Sequence, residues 1–255
     1  MTHIHAVFFT LAGTLTLGLL HEIAPTVTGS DTFAAKPHVL RSLSEGVEQA
    51  VLGRINTVRK ARGLQALKPN QTLAATATTF AGFMARTGKY GHDVDGRTPA
   101  VRAGERGYHY CLVAENLGRL ATNEALDPDG VALRLVDAWL DSPGHRANIL
   151  EPLATETGVA VKIANDGMFF AVQMFGRPQT ARFTVKIANE TAATIAYDLS
   201  GKSYSLPADA TRSHERCEPG VLSVGAASSK DIAIAGADTF VVRRSAQGLT
   251  LMRNR

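Results

Sequence analysis

Apolar positions recur along the chain first at helical spacing and later at strand spacing. Between Ser44 and Gly63, Val51, Leu52, Ile55 and Val58 share one face, which predicts a helix capped by Ser44 and stopped by Gly63. A second helix is expected between Asn70 and Gly88, because Leu73, Ala77, Phe80 and Met84 recur at spacings of four, three and four. Thr98 followed by Pro99 signals a short helix to Arg106, with Gly107 as its stop. A further helix, from about Gly130 to Asp141, would bury Val131, Leu135, Val136 and Trp139. In SPGHRANIL, Ser142 is read as N-cap and Pro143 as the first helical residue, so that His145 falls in a first turn.

The pattern then changes period. Gly158 to Ala164 and Met168 to Phe175 flank Asn165-Asp166-Gly167, a turn signal between β-rich runs, and predict a hairpin. Its second strand, MFFAVQMF, is apolar almost without a break, so helices should cover both faces of its sheet. After Arg177-Pro178, short runs such as FTVKI, TIAYDL, VLSV and TFVV are separated by Gly, Pro, Asn and Asp. A boundary near Pro178 and a small all-β domain over 181–255, of sandwich type, are expected.

Ala6 to Leu20 is apolar and uncharged, too short for a comfortable membrane span and suited to the core of an export signal. Residues 1–35 are therefore read as a signal peptide, cleaved near Ala34 or Ala35, or as an uncleaved N-terminal anchor, which would be the chain's one membrane contact. The formal charge of +4 favours anionic surroundings without naming one. No basic run with interleaved aromatics and no zinc-finger spacing occurs, so nucleic acid is not an expected partner. Cys111 and Cys217 are the two cysteines, and export would favour their pairing, the alternative being two separate buried thiols.

Three segments place ionisable or amide side chains beside glycine or a helix start: KYGHDVDGRTP, CLVAENLG and WLDSPGHRANIL. Their order and wording, ending in GVAV and FFAVQMFG, resemble the CAP superfamily of cysteine-rich secretory, venom-allergen and pathogenesis-related proteins, in its bacterial branch. The resemblance spans about Val51 to Gly176 and implies an α/β/α sandwich, here a CAP domain over 44–178. It also implies a cleft that gathers two histidines and two acidic residues. Carried over by motif, His92 in GHD, Glu115 in AEN and His145 in PGHR fill three of these roles. The fourth departs from the family pattern: Ser142 stands where a Glu is usual, with Asp141 one place before it.

Two neutral imidazoles and a carboxylate suit zinc or a similar divalent ion, and a bound metal could activate water. Without metal, Glu115 could orient one imidazole, or all three groups could simply tie loops to the helical layer. Ser142 is best explained as a cap. Arg146 is read as a surface residue and Asn148 as bonding local backbone, although both could face the cleft. Asp93, Asp95 and Gly96 lack the downstream spacing of a calcium loop. The favoured function is a non-enzymatic exported protein, periplasmic, envelope-bound or extracellular, whose cleft binds a small ligand, either a lipid or a divalent metal. The rivals are a metal-assisted hydrolase of peptides or envelope polymers, and an adhesive module acting through the β-rich tail.

Overall fold

The computed structural model describes residues 37–121, 127–225 and 231–254, so the expected targeting segment at 1–35 lies outside the described residues. Helix α1 (Pro37–Ala61) begins well before the expected cap. Ser44 is not a cap but a buried residue inside this helix, because the apolar stripe continues N-terminally through Leu43 and Val47 into the core. Strand β1 (Lys68–Pro69) is followed by α2 (Gln71–Thr87), whose ends follow the sequence signals. Asn70 accepts from the Leu73 amide, and Gly88, at φ 69°, takes the left-handed conformation that closes the last turn.

Helix α3 (Pro99–Glu105) is capped by Thr98 and leads into strand β2 (Tyr110–Leu120), the CLVAENLG segment, which the apolar pattern did not reveal as a strand. The reason is that Glu115 and Asn116 are buried polar residues in the middle of it. Helix α4 (Pro128–Asp141) starts two residues before the expected Gly130, capped by Asp127, whose carboxylate accepts from the Gly130 amide at 2.6 Å. Helix α5 (Pro143–Ile149) follows at once. Ser142 holds its N-cap position, yet its side chain makes no capping bond. The start relies instead on the preset φ of Pro143 and on the Ser142 carbonyl, which accepts from the Arg146 amide at 2.8 Å.

Strands β3 (Glu156–Ile163) and β4 (Phe169–Pro178) form the hairpin, with Gly167 at φ 83° in its turn. The sheet runs β1-β3-β4-β2, antiparallel except where β1 joins β3. Its central strand β4 feeds two separate cores by simple alternation. Phe169, Ala171 and Phe175 join Val51, Ile55, Leu135 and Trp139 on the side of α1, α4 and α5. Phe170, Val172 and Met174 join Leu73, Phe80 and Met84 on the side of α2 and α3. The result is an α/β/α sandwich. Helix α2 lies so close to β3 that a Cβ on Gly158 would stand 2.1 Å from the Ala74 amide nitrogen.

After one turn of 3-10 helix at Gln179–Ala181 the chain is all β. Strands β5 (Phe183–Asn189), β6 (Ile195–Leu199), β7 (Lys202–Leu206), β8 (Thr211–Arg216), β9 (Gly220–Val224), β10 (Ile232–Ile234), β11 (Asp238–Ser245) and β12 (Gly248–Asn254) make two four-stranded sheets. Their orders are β10-β9-β6-β7 and β12-β11-β5-β8. Val185, Ile187 and Phe240 of one sheet pack with Tyr197, Leu199 and Leu222 of the other in a single core. Cys111 at the start of β2 is disulfide-bonded to Cys217 just past β8, with 5.4 Å between their Cα atoms. Among the described residues no helix is long and apolar enough to cross a membrane.

Candidate functional site

The site is organised by Arg102, a residue that the sequence patterns did not single out. It lies on α3, only 4% of its side chain is exposed, and its guanidinium plane covers the Phe80 ring at 3.5 Å. One terminal nitrogen, Nη2, donates to both oxygens of Glu115 at 3.0 and 2.8 Å. The other, Nη1, donates to Asp95 Oδ1, the His92 carbonyl and the Arg97 carbonyl at 2.9, 2.9 and 2.7 Å. A single buried cation thereby fixes the KYGHDVDGRTP loop against the middle of β2. The weak signal for it was an arginine between Val101 and Ala103 in a short helix.

Glu115 points into the protein, its side chain fully buried, and its second contact is to His92 Nδ1 at 2.8 Å. Burial pushes its carboxyl up, while Arg102 and His92 pull it back towards the charged form. Because the carboxylate can only accept, His92 donates through Nδ1–H, and the neutral ring keeps its lone pair on Nε2. The His92 side chain is 52% exposed. Asp95 is held by three Arg97 bonds, from the amide, Nε and Nη2, and by Arg102.

His145, half-buried in the first turn of α5, lies within electrostatic reach of His92. Burial, and then the nearby His92, hold its imidazole below the usual histidine range, which favours the neutral, ligand-competent ring. Its backbone is tied to β2 by Asn116, whose amide donates to the His145 carbonyl at 3.1 Å. Asn148 does not bond local backbone as expected. It reaches across to β2, donating to the Glu115 carbonyl at 3.2 Å and to Asn116 Oδ1 at 2.9 Å, because α5 packs directly on that strand. Arg146 is exposed and donates to the Leu140 carbonyl, away from the histidines.

His92 and Glu115 are in direct contact, and the His145 backbone is tied to the same strand through Asn116. Among the described residues no three His, Cys, Asp or Glu side chains form a metal-ligand set. The physical reason is that both oxygens of Glu115 are taken by Arg102 and one also by His92. From the opposite side α5 is anchored by Arg59 of α1, fully buried, which donates to the carbonyls of Gln65, Ile149, Glu151 and Ala154. Trp139 is core, its indole N–H donating to the Leu117 carbonyl at 2.7 Å.

Several solved structures are similar to this chain. An outer surface protein from Borrelia burgdorferi is 23% identical, with a TM-score of 0.47 and a match covering 52% of this chain and 92% of that one. An extracellular protein containing an SCP domain from Bacillus anthracis is 27% identical, with a TM-score of 0.47 and coverage of 56% and 44%. A cysteine-rich secretory protein from Staphylococcus aureus is 22% identical, with a TM-score of 0.41 and coverage of 52% and 39%. The chain therefore spans less than half the length of the last two. Comparison with curated proteins gives no match. The sequence model of the cysteine-rich secretory protein family matches residues 52–175, which takes in β2, α5 and both histidines, and identifies a CAP domain over that span.

Proposed function

We propose that this chain is an exported, non-catalytic CAP protein that binds a divalent cation through His92 and His145. The observation that carries the proposal is the Glu115 carboxylate, held by Arg102 and bonded to His92 Nδ1. A carboxylate behind an imidazole sets its tautomer and raises its basicity, the arrangement that metal-ligating histidines use. Water or a group from a partner would complete a tetrahedral ion. The same geometry argues against a hydrolase, since Glu115 is buried and saturated and so is poorly placed as a general base for metal-bound water. Export is supported by the disulfide, a bond that persists in oxidising compartments.

An apolar ligand is the alternative, favoured by a groove of 470 Å³ between α1 and α4, lined by Val58, Leu133, Val136 and Leu140 among others. Leu133 is 44% exposed there.

Zinc titration of the full chain by calorimetry separates the cases. Binding that is weakened at least tenfold in His92→Gln and in His145→Gln supports the cation site. Zinc that neither binds nor raises the melting temperature ends that reading, and a zinc-dependent peptidase rate abolished by His92→Gln would install the hydrolase instead.

A further inference from the structure

The β-rich part carries a second cluster of chemistry, on residues outside the family match. Strand β7 is the outer strand of one sheet and β8 the outer strand of the other, and their side chains meet across the open end of the sandwich. The His214 ring of β8 stands edge-on to Tyr204 of β7, with 4.6 Å between centroids, and Tyr204 stacks on Tyr197 at 5.3 Å. Two cations converge on the same tyrosine: Lys202 Nζ lies 5.5 Å and Arg212 Cζ 5.7 Å from the Tyr204 centroid. Arg216 adds a third positive charge, its donors taken by Ser200 Oγ and the Glu218 and Pro219 carbonyls.

Among the described residues no carboxylate pairs with Lys202, Arg212 or Arg216. Asp209 and Glu218 are close in sequence but form no ion pair with these cations, and two other nearby acidic side chains have different partners. Asp198 accepts from the Gly201 amide, and Glu215 accepts from Thr184 Oγ1. Three like charges gathered without a counter-charge repel one another, and an anion seated among them removes that cost. The positive field is registered by the protein's own groups. Burial first, then Arg212, Arg216 and Lys202, hold the His214 imidazole below the usual histidine range.

The hydrogen bonds give the cluster a direction. The Tyr197 hydroxyl lies 2.6 Å from His214 Nε2, in a hydrogen bond that uses that ring nitrogen. With Nε2 engaged by Tyr197, the other ring nitrogen of His214, Nδ1, remains for a further partner. Nδ1 has no hydrogen-bond partner among the described residues.

We propose that this edge, through Lys202, Arg212 and His214, binds a phosphate group. The donors come from two strands of different sheets, Lys202 from β7 and Arg212 and His214 from β8, and so approach from more than one direction. A tetrahedral anion offers acceptors in more than one plane, whereas the two coplanar oxygens of a carboxylate match a single guanidinium fork best. The phosphate can belong to a soluble anion or to a lipid headgroup, and the chemistry recognised is the same.

The test is titration of the full-length protein with inorganic pyrophosphate at low ionic strength, followed by calorimetry and by the ring-nitrogen resonances of His214. The expected result is saturable binding that shifts those resonances and weakens at least tenfold in the Lys202→Gln/Arg212→Gln double variant. Arg244→Gln, an exposed change on β11, should leave it intact. Sedimentation with phosphatidylglycerol vesicles identifies the source. Retention competed away by pyrophosphate points to a lipid headgroup, and pyrophosphate binding without vesicle retention points to a soluble phosphate. Absence of pyrophosphate binding, equal binding by the double variant, or stronger binding of malonate than of pyrophosphate would each overturn the proposal.

Discussion

Arg102 and Glu115 meet in a contact from which solvent is excluded, with Nη2 of the arginine within 3.0 Å of both carboxylate oxygens. Removing one partner strands a buried charge. Arg102→Leu is expected to destabilise the protein by about 3 to 5 kcal/mol, measured as the shift in urea midpoint at constant m-value. The same variant frees the KYGHDVDGRTP loop, so hydrogen exchange at His92 to Arg97 should accelerate more than exchange in β4. A loss under 1 kcal/mol would show that the pair contributes little.

The Asp95 carboxyl gives a pH-dependent term. Burial opposes its ionisation, but the Arg97 hydrogen bonds and the charge of Arg102 outweigh this and hold it below the usual carboxylate range. A carboxyl depressed in the folded state stabilises fully above its unfolded value near 4, and that contribution disappears as pH falls through the folded value. Wild type should therefore exceed Asp95→Asn by about 1.5 to 3 kcal/mol at pH 7, with the gap narrowing towards pH 3. A gap that stays constant across this window would refute the assignment.

The bond between Cys111 and Cys217 joins positions 106 residues apart. In the chain-entropy model, closing so long a loop contributes on the order of 4 to 5 kcal/mol. Cys111→Ser/Cys217→Ser should lower the melting temperature markedly, and reductant should lower that of the wild type alone.

Gly158→Ala tests the seat of α2 on the sheet. The added methyl would meet backbone atoms of Leu73 and Ala74 and not a flexible side-chain end, so neither partner can yield locally. A cost of about 1 to 3 kcal/mol is expected from overpacking. In thermal melts Gly104→Ala, where nothing lies within 4 Å, should show no such loss.

What the sequence made legible follows local rules. Asn70, Gly88, Thr98 and Gly167 act within a few residues of where they sit, and their caps and turns appear as expected. The two faces of β4 were readable because its apolar run is unbroken. Strand β2 was not, since its buried polar residues are paid for by partners distant in sequence: Glu115 by Arg102, and Asn116 by Asn148. For the same reason the motifs located His92, Glu115 and His145 while the task of Glu115 stayed hidden. An arginine that takes up a carboxylate through burial leaves no periodic trace.

The link from Cys111 to Cys217 also sets how the molecule answers to tension. A pull applied at the two ends of the chain passes through the sulfur bridge and bypasses everything between those cysteines. The chain between the two cysteines, about 350 Å of extended polypeptide, cannot lengthen until the bridge is cut. Both histidine-bearing turns differ in this respect, for His145 lies inside the shielded stretch and His92 outside it. Stretching would therefore part the two rings before it unravelled the strand that carries Glu115.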